Sequence, residues 1–370
     1  MDECVLAERL ITYDTATGEG LRAAAGFVKG WLESRELTVD GREHDGLPVI
    51  LAEVGPKTAP TVVLHGHLDV VPAREGQFTP RVEGDRLIGR GAYDMKGALA
   101  AMMYALKDAA AQDEIRVRFV CVPDEESEDV TRRSTDVLVK EGLKADFALT
   151  GEPTDLHIGV QAKGVLAVRI EVEGRAAHGS TPWTGDNAVL KAIDVFRLIE
   201  AMPFARESSD LFDRPSINLG RILGGDVINK VPDTCAIDVD IRYLPGQDPE
   251  SIMAAIRELP DVSVTPVFHR QPVNVARSNP FVRLLAEAIR EGTPAERISV
   301  GRDGASDAVS FIEAGVPAVE FGPVGGGHHG PDEWVSVSSL ERYGQALVRF
   351  AQTIPKRMGS DARSGRLRIA

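Results

Sequence analysis

Two kinds of hydrophobic pattern alternate through the first 160 residues. Apolar residues at helical spacing predict helices over 2–12 and 20–35. Short continuous apolar runs at 48–54, 60–66, 115–122 and 146–150 predict buried strands. Between two of these runs, 95–111 is rich in Ala, Leu and Met and predicts a further helix. Strands alternating with helices imply an α/β domain with a mostly parallel central sheet. Functional sites in such domains gather in the loops at the carboxyl ends of the strands.

The pattern changes near Gln161. Residues 166–172 alternate apolar and polar, as a half-buried strand does. Further strands are expected at 217–222, 235–243 and 262–268, with helices at 187–202 and 249–258. Four alternating strands and two helices make a small antiparallel α+β layer. The helix–strand pattern then returns: helix 280–291, strand 297–300, helix 306–314, strand 316–321 and helix 336–354. The expected organisation is one domain formed by 1–160 and 274–355, with 161–273 inserted into it. Residues 356–370 carry Arg357, Arg363, Arg366 and Arg368 among Gly and Ser, and read as a solvated, flexible tail.

Composition narrows the function. A length of 370 residues suits two domains, and 43% hydrophobic content supplies their cores. A net charge of −14 argues against nucleic acid or an anionic membrane surface as partner. Three cysteines with no CxxC suit free thiols in a reducing compartment. The acidic N-terminus gives no sign of a signal peptide, and no apolar run is long enough to span a membrane. The expected location is the cytoplasm.

The candidate chemistry sits where strands end. In His65-Gly-His67-Leu-Asp69, side chains two apart share a face of an extended strand, so two imidazoles and a carboxylate converge. An imidazole binds a transition metal, and a carboxylate holds its tautomer. Alone, the motif reads better as a strand end with a capped histidine. Four further clusters change the balance. Asp94 stands between a glycine-rich loop and a helix, as an N-cap or a carboxylate bridging two cations. Asp124, Glu125, Glu126, Glu128 and Asp129 follow a buried strand, where a cation best relieves their repulsion. Glu152 lies at another strand end, and His328 and His329 follow three glycines. Adjacent histidines are expected to point in different directions, so that one is a ligand. Two imidazoles with several carboxylates suit zinc or a similar divalent ion.

These residues resemble a known family. HGHLDVVP at 65–72, GRGAYDMKG at 89–97, DEE at 124–126, GEPT at 151–154 and HHGPDEW at 328–334 are similar to the dinuclear-zinc acylamino-acid hydrolases and metallopeptidases. That group includes acetylornithine deacetylase, succinyl-diaminopimelate desuccinylase, aminoacylase and glutamate carboxypeptidase. The resemblance implies two Zn2+ ions, with Co2+ or Mn2+ as alternatives. His67 and Glu152 would hold one ion, Glu126 and His329 the other, and Asp94 would bridge them. Glu125 would be the general acid/base acting on a zinc-bridged water, and Asp69 would orient His67. The inserted segment would be a lid that forms a homodimer, with His178 reaching the partner's active site. On its own, His178 reads as a surface residue of a polar loop. Asn229 and Arg242 match positions that hold a substrate carboxylate; alone they read as a turn Asn and a surface Arg.

The implied reaction is hydrolysis of the amide bond of a small N-acyl amino acid, in amino-acid biosynthesis. Glu152, where the carboxypeptidase branch has Asp, leans toward a deacetylase or desuccinylase. Ala305 replaces a frequent Thr in the substrate-side loop 304–308. The alternatives are a carboxypeptidase or dipeptidase on the same site, and a catalytically silent metal-bound protein. Retention of Glu125 argues against the last.

Overall fold

The computed structural model describes residues 2–127, 133–289 and 298–363. Its strands are β1 (Val39–His44), β2 (Leu47–Val54), β3 (Thr61–His67), β4 (Arg81–Glu83), β5 (Arg86–Ile88), β6 (Arg116–Val122), β7 (Phe147–Thr150) and β8 (Ile158–Ala162). They continue with β9 (Gly164–Glu173), β10 (Ser216–Gly224), β11 (Thr234–Tyr243), β12 (Val262–Arg270) and β13 (Val273–Asn274). The last are β14 (Ser299–Arg302), β15 (Ala318–Glu320), β16 (Gly325–Gly326) and β17 (Trp334–Ser336).

The chain divides into two compact units. The first comprises Met1–Val160, Val275–Val300 and Ser306–Ala370. Its main sheet runs β1-β2-β6-β3-β7-β15-β8. The pairs β6–β3, β3–β7 and β7–β15 are parallel, whereas β1–β2, β2–β6 and β15–β8 are antiparallel. The four central strands, β6, β3, β7 and β15, are thus mutually parallel, and antiparallel strands flank them. Register does the positioning. His67 pairs with Val122, His65 with Thr150, and Thr150 with Glu320. The carboxyl ends of β3, β6, β7 and β15 therefore finish side by side.

Helix Gly97–Ala109 is built from Ala, Leu and Met, the strongest helix formers, and ten of its residues are buried. Gly66 of β3 lies close to the start of this helix. A Cβ there would run into Met95 and stand 2.9 Å from Leu99 Cδ2. Gly66→Ala is expected to cost about 1–3 kcal/mol in chemical denaturation. An unchanged midpoint would contradict this packing.

A second, small sheet runs β16-β17-β5-β4. Trp334 of β17 pairs with Ile88 of β5, which sets the 327–333 loop beside the 89–96 loop.

The second unit comprises Gln161–Asn274 with the short piece Gly301–Ala305. The sequence reading assigns that piece to the first domain. Here Lys163 N donates to Arg302 O at 3.1 Å, and Lys163 Nζ pairs with Asp303 at 2.7 Å. The antiparallel sheet runs β10-β11-β9-β12. Leu166, Val168, Ile170 and Val172 of β9 and Cys235, Ile237, Val239 and Ile241 of β11 turn one face toward helices Ala188–Ala201 and Pro249–Arg257. Asn187 and Asp248 cap those helices, each accepting from two backbone N–H groups.

The last helix extends further than its apolar period suggests. It spans Val337–Arg363, so 356–363, expected in a flexible tail, is helical. Lys356, Arg357 and Met358 are good helix formers and prolong a helix already nucleated. Residues 364–370 lie outside the described residues, as do Glu128 and Asp129. Among the described residues, no helix is long and apolar enough to cross a membrane.

Candidate metal centre

His67 ends β3 and is 1% exposed. Its Nδ1 lies 3.0 Å from Asp69 O and 3.4 Å from Asp69 Oδ1. Its Nε2 lies 3.0 Å from Asp94 Oδ1 and 4.0 Å from Glu152 Oε1. One nitrogen is held from behind while the other faces carboxylates, the arrangement of an oriented metal ligand. Asp69 also accepts from Glu125 N at 3.2 Å and Glu126 N at 2.7 Å, so one carboxylate anchors both the imidazole and the acidic loop after β6.

Asp94 is not a helix cap. It precedes helix Gly97–Ala109 by three positions, with non-helical φ and ψ, after a cluster of donors to Glu333. The Glu333 carboxylate is 1% exposed and accepts from Arg90 Nη1 at 2.6 Å and from Gly91, Tyr93 and Asp94 N at 3.0 Å each. This pins the loop that presents Asp94. The other Asp94 oxygen meets His328 Nε2 at 2.5 Å and His329 Nε2 at 3.4 Å. His329 Nε2 also lies 2.8 Å from Glu126 Oε1. Both histidines therefore face the same cluster, contrary to the expectation that they diverge. The 327–329 turn makes this geometry: Gly327 and His329 both have positive φ, at 72° and 57°.

The electrostatics are those of crowded charge. Burial works against ionisation of Asp94, yet hydrogen bonds from His328, His329 and His67 hold it well below the usual carboxylate range. Burial likewise opposes the charged form of His67, but Asp69 and Asp94 hold its pKa well above the ordinary value. Hydrogen bonds to Asp94 and Glu126 raise His329 to about 10. Burial, then the charges of Asp94 and Glu125, pushes Glu152 well above normal, and its Oε1 is buried with no hydrogen-bond partner among the described residues. Burial pushes Glu125 up to about 8, against the pull of Arg133 and His67.

A divalent cation fits this set. Three groups of side chains bring their ligand atoms within 4.8 Å of one another: His67, Asp94 and Glu152; Asp94, Glu126, His328 and His329; and His67, Glu125 and Glu126. The partnerless Glu152 oxygen and the crowded carboxylates are what bound cations would compensate. Asp94 belongs to two of the groups, as a bridging carboxylate must.

His65 turns away from this cluster. Its Nε2 lies 2.9 Å from Thr135 Oγ1 and 3.5 Å from Asp307, and burial lowers its pKa to about 4. The sequence reading missed Arg133, Asp307 and Glu333. Asp307 carried a signal, because it lies in the 304–308 segment already singled out.

Within the second unit, the 178–180 and 229–230 segments meet. Gly179 N donates to Asn229 O at 2.7 Å, and His178 bridges to Lys230. His178 is exposed, with Nδ1 2.7 Å from Ser180 Oγ. Arg242 stands on β11 opposite Ser216, with Nε 3.1 Å from both oxygens of Asp240.

A histidine–carboxylate cluster at the carboxyl ends of parallel strands, buried at His67, Asp94 and Glu152 and open at His328 and His329, is the donor set of a divalent-metal protein. Residues 63–353 match the model of peptidase family M20/M25/M40, and the chain belongs to that family. It is accordingly a metal-dependent hydrolase acting on amide bonds. A succinyl-diaminopimelate desuccinylase of Methylobacterium radiotolerans is 31% identical over 332 residues, covering 82% of this chain and 84% of that protein. Carboxypeptidase G2 of a Pseudomonas species is 26% identical over 360 residues, covering 90% and 85%. The crystal structure of aminopeptidase PepT from Bacillus cereus superposes with a TM-score of 0.78 at 19% identity, covering 95% of this chain and 98% of that one.

Proposed function

We propose that the protein removes the acyl group from a small N-acyl amino acid, with an N-succinyl group as the leading candidate. The observation that carries this reading is the position of Glu125, whose ligand atom lies within 4.8 Å of those of His67 and Glu126. His67, Asp94, Glu126, Glu152 and His329 would hold two divalent ions, zinc foremost, with His328 close enough to share in the set. When bound, such ions polarise a carbonyl and lower the pKa of water. Glu125, its pKa raised to about 8, is then suited to both proton transfers. It takes a proton from water as oxygen adds to the acyl carbon. It returns that proton to the amine as the C–N bond breaks, leaving a free amine and a carboxylic acid, which loses its own proton to solvent and departs as the carboxylate. Asp69 keeps His67 and the Glu125 loop in place throughout.

We further propose that the second unit is a lid and the contact surface of a homodimer. Leu190 and Ile193, one helical turn apart on helix Ala188–Ala201, are 60% and 39% exposed. Ile222 and Leu223, on edge strand β10, are 41% and 49% exposed. Apolar side chains at a sheet edge suit burial against a second copy. In that dimer His178 would stabilise the tetrahedral oxyanion in the partner's site, while Asn229 and Arg242 would hold the substrate carboxylate. The same reading includes a cytoplasmic role in amino-acid biosynthesis, the role expected of a small-molecule N-acyl amino acid hydrolase.

Two experiments test the proposal. A panel of N-succinyl, N-acetyl and dipeptide substrates, ranked by kcat/KM, should place an N-acyl amino acid first; dipeptides first would establish the peptidase alternative. Chelation should abolish turnover, and added Zn2+, Co2+ or Mn2+ should restore it. Undiminished activity after exhaustive chelation would refute the metal mechanism.

A further inference from the structure

Behind the proposed base lies a buried chain of polar groups that no part of the metal centre requires. Arg133 Nη1 lies 2.7 Å from Glu125 Oε1 and 3.1 Å from Asp307 Oδ1. Its side chain is 14% exposed, that of Glu125 12%, and that of Asp307 0%. The other Asp307 oxygen accepts from Thr135 Oγ1, which also meets His65 Nε2 at 2.9 Å. The backbone around Arg133 is fixed as well. Ser134, the first residue of helix Ser134–Lys140, donates to Asp124 Oδ2 through its N–H at 2.8 Å and its hydroxyl at 2.7 Å.

From this geometry we infer that Arg133 is the positioning residue of Glu125: anchored by Asp307, it holds one carboxylate oxygen and leaves the other to exchange protons. The inference rests on the proposed role of Glu125. The backbone of Glu125 is already tethered to Asp69, but that bond does not fix the side-chain torsions. Arg133 supplies the second point. A guanidinium suits this task better than an ammonium, because its planar donors keep a fixed direction between two carboxylates. Asp307 closes the 304–307 segment, and through it that loop is joined to the base.

Arg133→Ala in the zinc-loaded protein should lower kcat by about 10²-fold, the cost of a base misplaced by about an ångström, with KM and zinc content little changed. Added guanidinium should restore part of the loss, and Arg133→Lys should fall between the two. A purely structural role would give neither rescue nor an unchanged zinc content. Wild-type kcat in Arg133→Ala overturns the inference, as does a loss that neither guanidinium nor Lys relieves. Thermal denaturation of Arg133→Ala, Glu125→Gln and the double variant tests the same contact without any substrate. Coupled residues give non-additive shifts, and strictly additive shifts overturn the clamp. Absence of amide hydrolysis by the wild type would instead refute the proposed function and leave this cycle standing as the test of the contact.

Discussion

Glu125→Ala is expected to lower turnover by about 10²–10⁴-fold while bound metal stays near the wild-type level. The reasoning is positional. His67, Asp94, Glu126 and Glu152 can hold cations without Glu125, since the sets that include Asp94 do not use it. What disappears is a carboxylate that burial raises to about 8, high enough to hand a proton to a leaving amine. Steady-state kinetics and metal analysis on the same preparation check the outcome. An active Glu125→Ala protein would remove this residue from the mechanism, and a protein stripped of metal would make it a ligand instead.

Glu333→Ala should have the largest effect on stability. Its carboxylate takes hydrogen bonds from Arg90 and from three backbone N–H groups of one loop, at Gly91, Tyr93 and Asp94. Arg90 is 3% exposed, and its other amino group donates to His329 O at 3.0 Å. Deleting one partner of a buried pair leaves the other charge uncompensated, a cost of about 3–5 kcal/mol. The loop that presents Asp94 would lose its anchor, and the hairpin carrying His328 and His329 would lose its tie to that loop. Zinc affinity should fall along with the denaturation midpoint. A Glu333→Ala protein as stable as wild type, with normal zinc content, would contradict this account.

The long elements were legible because their apolar periods are long and uninterrupted. β3, β6, β9 and β11 and the helix Gly97–Ala109 fall within two residues of the expected positions. The mostly parallel sheet and the separate antiparallel layer followed from that pattern. Short, polar elements were not. β1, with sequence VDGREH, has an exposed edge and no apolar run. Its signal lay in the turn: Asp45-Gly46 joins β1 to β2 with positive φ at both residues, the strongest short-range hairpin mark. The β4–β5 hairpin and the two-residue strand β16 are too short for periodicity to register.

At the site, residue types and their places at strand ends were readable, and their partners were not. That Asp69 ties down both His67 and the acidic loop depends on β3 and β6 being adjacent and parallel, which only the folded sheet reveals. Arg133 stands in a run of polar residues with no pattern to single it out, yet it meets Asp307, 174 positions away. The convergence of both histidines on Asp94 depends on the left-handed backbone at His329, an uncommon conformation that residue identity alone does not announce.

A two-ion centre bridged by Asp94 is tested most directly by the count of metal per chain. Protein saturated with Zn2+, freed of excess ion and measured by elemental analysis, should carry two ions per chain, and Asp94→Ala should lose at least one of them. A wild-type chain that binds none, or an Asp94→Ala chain that retains both, would contradict the account.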